Sequence, residues 1–154
     1  MWQAIAEHIN NELDCDFDIE SKTQLTGGSI NLAWKISGKG QQFFVKLNQR
    51  EQAEQFETEV LSLRALQQAH CIRVPAVICA GQTIDKAFLV LEYMPFSGET
   101  VQGWQHLAQQ LALLHKQHDQ AMYGFDWDNS LGTTPQPNKW QANWSSFFSE
   151  QRLG

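Results

Sequence analysis

The chain has 154 residues, of which 42% are hydrophobic and 18% charged, the profile of about one globular domain with a real core and not of a disordered segment. Seventeen acidic against eleven basic residues leave a net charge of −6, which excludes the basic footprint that draws a protein to nucleic acid or to an anionic membrane. The longest purely apolar run, Ala87–Leu91, falls far short of the roughly 20 residues that a membrane-spanning helix needs.

Trp2, Ile5, Ala6, Ile9 and Leu13 stand at helical spacing and predict a short amphipathic helix with one buried face. From Phe17 to Leu25 the pattern changes to strand-like. Thr26-Gly27-Gly28-Ser29 signals a turn, and Leu32, Trp34 and Ile36 alternate after it. Gly38-Lys39-Gly40 marks a second turn before Phe43-Phe44-Val45-Lys46-Leu47. Three strands joined by two glycine turns predict an antiparallel meander. Between Arg50 and Ala69 the period lengthens, with Ala53, Phe56, Val60, Leu63 and Leu66 three or four apart, a helix of several turns.

Pro75 ends that pattern. Val77–Ala80 and Ala87–Tyr93 read as two further strands, and the unbroken apolar run in the second places it inside the sheet and not on its edge. Met94–Gly98 reads as a linker. Trp104, Leu107, Ala108, Leu111 and Leu114 then form one helical stripe running through His118. Tyr123–Asn138 is rich in Gly, Pro, Asp and Asn and reads as a long loop, and Trp140, Trp144, Phe147 and Phe148 mark a last helix. The expected class is α+β: a five-stranded antiparallel sheet with one key helix, followed by a helical segment. Cys15, Cys71 and Cys79 are too few and too odd in number for a disulfide framework, and read as reduced thiols of a cytoplasmic protein. The opening Met1-Trp2-Gln3-Ala4 has neither the basic nor the apolar stretch of a secretory leader.

The chemistry concentrates in three features that follow one another. Gly27 and Gly28 lack side chains, so the backbone there can close over a polyphosphate and offer its N–H groups. Lys46 sits at the end of an apolar strand, where an unpaired ammonium is costly. Glu59 follows Phe56 by one turn on the next helix, at its sheet-facing edge. A lysine held by a helix glutamate while it contacts phosphate oxygens is how protein kinases hold a nucleotide. Singly, each feature has a plainer reading as a hairpin turn or a lysine at a strand end. In this order, and followed by an apolar strand running into Glu92-Tyr93-Met94, they point to a nucleotide.

Other clusters carry less. Asp14, Asp16 and Asp18 alternate like the start of a calcium loop, but Ile19 and Leu25 occupy the positions where glycine and a bidentate glutamate are required. His115 and His118 share a helix face without a third ligand at a spacing suited to zinc. Asp126 and Asp128 lie among turn residues.

The sequence resembles the fructosamine kinase family, a branch of the kinase-like fold that also holds the aminoglycoside and choline kinases. The carriers are Gly27–Asn31, Phe43–Lys46, Phe56–Glu59, Leu89–Tyr93, Leu114-His115 and, most specifically, Asn129–Asn138 with Trp140, Trp144, Phe147-Phe148 and Gln151–Leu153. The Asn129–Asn138 block favours this family over the aminoglycoside and choline kinases, the nearest rivals. The resemblance implies a kinase-like nucleotide-binding lobe over residues 1–94, a hinge at 92–94, and the first helices of a second lobe over 95–154. It implies ATP-dependent phosphorylation of the sugar of a ketoamine at its third carbon, which labilises the adduct and releases the amine.

Carried over by position, Gly27, Gly28, Ser29 and Asn31 lie over the phosphates, and Lys46 contacts phosphate oxygens with Glu59 holding it. Glu92, Tyr93 and Met94 form the hinge, with backbone groups of Glu92 and Met94 pairing the adenine edge. Ser29 stands where many eukaryotic members carry a redox-sensitive cysteine, so that thiol switch is not expected. The family's His-Gly-Asp loop, the asparagine five residues on and a later magnesium-binding aspartate have no match in these 154 residues. The catalytic aspartate and the magnesium site are therefore expected beyond Gly154. The non-enzymatic alternative is a nucleotide-binding module without a catalytic lobe. The expected partners are ATP and a ketoamine, with no nucleic acid and no membrane. Self-association is expected through exposed Trp140, Trp144 and Phe147-Phe148.

Overall fold

The computed structural model describes residues 1–26, 31–117 and 120–153. Helix α1 (Trp2–Leu13) is followed by the meander β1 (Ser21–Leu25), β2 (Leu32–Gly38) and β3 (Gln41–Gln49). A 3₁₀ turn (Arg50–Gln52) leads into α2 (Ala53–Gln68), and β4 (Val77–Gln82) and β5 (Lys86–Glu92) complete the sheet. The strand order is β1-β2-β3-β5-β4, antiparallel throughout. The apolar run 87–91 thus lies inside the sheet, as its unbroken hydrophobicity predicts.

Two cores sit on opposite faces of this sheet. Ile5, Ala6 and Ile9 of α1 pack with Ile36, Phe43, Val45, Leu47, Phe88 and Val90 on one face. Phe56 of α2 packs with Ala87, Leu89 and Leu91 on the other, flanked by Phe44, Val60 and Leu63. Strand alternation explains the partition, because successive side chains point to opposite faces. The result is three layers: α1, sheet, α2.

The stretch expected as one strand from Phe17 divides in two. Pairing with β2 begins only at Ser21, while Phe17 is fully buried in the α1-side core. Asn10 holds the intervening chain: its Oδ1 accepts from Phe17 N–H and its Nδ2 donates to the Phe17 carbonyl. Lys39 and Gly40 form a two-residue turn between β2 and β3, at φ 47° and 79°. Positive φ at both central residues matches the twist of a tight hairpin and suits glycine.

Beyond β5, residues 93–100 carry no regular structure. Helix α3 (Val101–His115) begins at Thr100, whose side chain accepts from Gly103 N–H, a conventional helix cap. Its apolar stripe is unburied among the described residues: Trp104 is 57% exposed and Leu107 and Leu111 are 41% each. The segment expected as a long loop holds a small hairpin, β6 (Asn129–Leu131) and β7 (Thr134–Gln136). Its strands are too short for a period-two pattern, and Pro135 weakens the strand signal further. The last helix, α4 (Trp144–Phe148), continues as a π-helical stretch, Ser149–Leu153, and starts later than Trp140. Phe147 is buried, in contrast to the exposed apolar face expected there, while Trp144 and Phe148 stay open. No described helix is long and apolar enough to cross a membrane.

A Cβ on Gly38 would stand 1.7 Å from the Asp18 backbone carbonyl oxygen, whereas one on Gly98 would meet nothing within 4 Å. Gly38→Ala is expected to cost about 1–3 kcal/mol of stability through overpacking against backbone, measured by urea denaturation. Gly98→Ala is expected to stay within about 0.5 kcal/mol of wild type.

Candidate functional site

Lys46 lies on β3 opposite Leu89 of β5 and Ala33 of β2. Its neighbours Val45 and Leu47 turn into the α1-side core, so alternation sends the Lys46 side chain to the α2 face. There Phe56 of α2 is buried against the sheet, and Glu59, three residues on, shares its side of the helix. Lys46 Nζ donates to Glu59 Oε2 at 2.5 Å and lies 5.8 Å from the Phe56 ring centroid. The side chains are 21% and 31% exposed. At that exposure water still screens the pair, so its contribution to stability is nearer that of a surface ion pair than of a buried one. What it provides is placement: Glu59 takes one of the ammonium's three N–H groups and leaves two at a fixed position.

Lys46 lines a cavity of about 350 Å³. Asn31, Lys46, Gln55 and Glu59 line it from the sheet and α2, and Asn129 and Ser130 line it from the hairpin. Of the residues expected over the phosphates, Asn31 is there, its Oδ1 accepting from Asn48 Nδ2 at 2.8 Å. Gly27, Gly28 and Ser29 lie outside the described residues. Asn129 and Ser130 open the block that carries the family resemblance most specifically, yet nothing in that block marks them as site residues; the folding of the hairpin onto α2 does.

The expected hinge residues stand at the end of β5 and do not line this cavity. Glu92 pairs with Phe43 across β3 while Leu89 pairs with Lys46, a separation of three residues or about 10 Å of strand. Glu92 N–H donates to the Ala76 carbonyl at 2.8 Å, so an adenine contact at this residue would fall to its own carbonyl. The Glu92 side chain is also engaged. One carboxylate oxygen accepts from Ala76 N–H and the other from Arg73 Nη2 at 2.7 Å. These two bonds, the Ala76 N–H first, hold its carboxyl below the ordinary carboxylate range. Tyr93 presents its ring to Lys35 Nζ at 4.5 Å, a cation–π contact. Met94 follows without regular structure.

The minor candidates are used structurally. Asp16 and Asp18 flank the Lys39 ammonium at 2.5 and 3.5 Å, and Asp14 caps α1 in the left-handed conformation. Asp126 accepts from Trp140 Nε1, and Asp128 from Asn138 N–H. His118 lies outside the described residues. Among the described residues no three His, Cys, Asp or Glu side chains are grouped to hold a metal ion. Cys79 is a core thiol: burial, with Glu12's charge adding to it, pushes its pKa up to about 12, far from a reactive thiolate.

The fructosamine kinase family model matches residues 1–154. A probable ketoamine kinase of Synechocystis sp. is 39% identical over 99% of this chain and 52% of its own length. A probable ketoamine kinase of Escherichia coli O157:H7 is 42% identical over 100% of this chain and 54% of its own. Among solved structures, the "Putative fructosamine-3-kinase" of Haemophilus somnus superposes with a TM-score of 0.93 at 33% identity, covering 99% of this chain and 52% of that one. The protein of the same description from Thermobifida fusca, at 21% identity and a TM-score of 0.75, shares the fold. The chain spans about half the length of the curated relatives it matches.

Replacing Arg73 with alanine is expected to raise the titration midpoint of Glu92 only part of the way to the ordinary carboxylate range, because the Ala76 N–H bond remains. A carboxylate with a depressed folded pKa contributes stability above its unfolded pKa and loses it as pH falls through the folded value. The stability gap between wild type and Arg73→Ala should therefore be full near neutrality and close as acid protonates Glu92. Carboxyl-detected NMR titration reads the midpoint, and denaturation at several pH values reads the gap.

Proposed function

The chain belongs to the fructosamine kinase family, and on that footing we propose that it is the nucleotide-binding part of an ATP-dependent kinase acting on the sugar of ketoamines. The observation that carries this reading is the Lys46–Glu59 pair at the edge of a polar cavity. Lys46 keeps two N–H groups for phosphate oxygens, and Glu59 prevents the ammonium from swinging away. Asn31, with Gly27, Gly28 and Ser29, would cover the phosphates. The carbonyl of Glu92 and the backbone of Met94, about 10 Å along the strand, would pair the adenine edge. Residues 1–94 then form the nucleotide lobe with its hinge at 92–94, and 95–154 begin the second lobe. The acceptor is the hydroxyl on the third carbon of a fructosamine or ribulosamine, and the product decays with release of the amine, a deglycation. The setting proposed is the cytoplasm.

Magnesium does not fit the residues present. Among the described residues the cavity's one carboxylate, Glu59, is committed to Lys46, and the sequence contains no His-Gly-Asp loop. No step through the metal is assigned to this chain. Phosphoryl transfer depends on positioning and charge stabilisation of the transferring group, and Lys46 with backbone amides supplies only part of that charge. This favours, as the second reading, a fragment that binds nucleotide weakly and catalyses nothing alone.

The purified 154-residue chain, mixed with ATP, magnesium and a fructose- or ribulose-amine, is expected to release no ADP above background. In a chain extended to include the catalytic loop, Lys46→Met should lower kcat/KM by about a hundredfold or more. Turnover by the short chain that Lys46→Met abolishes would overturn the assignment of catalysis to residues outside it.

We also propose that this chain self-associates through the helices after Met94, whose exposed Trp144 and Phe148 of α4 and Trp104, Leu107 and Leu111 of α3 form an apolar surface of the kind that marks an unfilled contact. Sedimentation velocity is expected to show concentration-dependent association, relieved by Trp104→Glu. A monomer at all concentrations would refute it.

A further inference from the structure

The β6–β7 hairpin is held at its ends with unusual completeness. Asn138, at 5% exposure the one buried polar residue among those described, donates its backbone N–H to Asp128 Oδ1 at 2.7 Å. Its Nδ2 donates to the Trp127 carbonyl at 3.0 Å and to Asn129 Oδ1 at 3.2 Å. Its Oδ1 accepts from Arg152 Nη2 at 2.5 Å, and the same guanidinium donates through Nη1 to the Pro137 carbonyl at 2.7 Å. A buried amide with every group matched rigidifies what it touches. Here it fixes the Asn129 side chain, with the oxygen turned back toward Asn138.

That orientation decides what Asn129 offers the cavity it shares with Lys46. Its oxygen is taken, and its Nδ2 has no acceptor among the described residues. Across the cavity Thr58 and Ser62 spend their hydroxyl hydrogens on carbonyls of their own helix, those of Glu54 and Thr58. Among the described residues the donors left free are therefore Lys46 Nζ with Asn31 Nδ2 on one wall, since Asn31 spends only its Oδ1 on Asn48, and Asn129 Nδ2 on the other, with the Ser130 hydroxyl beside it. Two walls that converge donors, one of them cationic, select anionic oxygens.

We infer that Asn129 is a direct ligand contact, its amide donating to phosphoryl oxygens held by Lys46, and that Asn138 is the positioning residue that aims it. The inference rests on the nucleotide reading of Lys46 and adds a second wall, drawn from a segment after the hinge. A ligand bridging the two walls would tie the hairpin to α2 through shared oxygens.

The test is isosteric. Asn129→Asp keeps an oxygen for Asn138 and replaces the free donor with an acceptor that repels phosphate. The isotopically labelled chain is titrated with ATP and separately with inorganic tripolyphosphate, following backbone and side-chain amide resonances. The Asn129 side-chain NH₂ pair is expected to shift with both anions, and Asn129→Asp to weaken both by about tenfold, the loss of one charge-assisted hydrogen bond, with an unchanged melting temperature. Movement of the Lys46 resonances while the Asn129 pair stays still, or wild-type affinity in Asn129→Asp, would overturn the inference and leave the nucleotide reading standing. Failure of the nucleotide reading looks different: tripolyphosphate would move the Asn129 pair and ATP would move neither wall. Silence toward both anions refutes both.

Discussion

The arrangement depends on the alternation of β3 between two separate cores. Phe43, Val45 and Leu47 are locked into the α1-side core, so the register of the strand is specified by three buried side chains at once. A slip of one residue would turn all three toward α2 and bring Lys46 into the α1-side core. Because that slip is so costly, Lys46 is held on the α2 face without any contact of its own being strong. The ion pair with Glu59 is a consequence of the register, and its modest burial is enough for a positioning role.

The same strand geometry spaces the rest of the site. β5 is buried from Ala87 to Leu91 between β3 and β4, and Glu92 emerges where that burial ends. Its carboxylate is tied to Arg73 and Ala76, so the end of β5 is anchored to the chain that leads into β4. Lys46 and Glu92 thus sit at two points of one sheet. An ordered sheet holds such distances better than loops do.

The segments after β5 behave differently. α3 leaves its apolar stripe open, while the hairpin and α4 are tied together by side-chain and backbone bonds: Tyr123 with Gln141, Phe125 with Asn138, and Arg152 with Pro137 and Asn138. Arg152 also lies 4.7 Å from the Phe147 ring, which helps account for the burial of Phe147 in a region otherwise rich in exposed aromatic surface. Polar clasps of this kind fix a short, turn-rich stretch that has too little apolar area to fold around a core.

Much of the fold was legible in the amino-acid order, because periodicity is a local property. The spacing of Ile5, Ala6 and Ile9 marks α1, the steps from Phe56 to Leu63 mark α2, the Gly38-Lys39-Gly40 turn divides β2 from β3, and the run 87–91 puts β5 inside the sheet. Lys46 and Glu59 could be paired in advance, since a lysine on a buried strand needs a carboxylate and the following helix offers one beside its buried Phe56. Tertiary structure alone decided the rest. Phe17 belongs to a core and not to a strand because Asn10, seven residues away, captures its backbone. Glu92 is held by an arginine nineteen residues back. Asn129 reaches the Lys46 cavity only because a hairpin of three-residue strands folds onto α2. Contacts between distant segments leave no period in the sequence, and the packing that creates them depends on every layer at once.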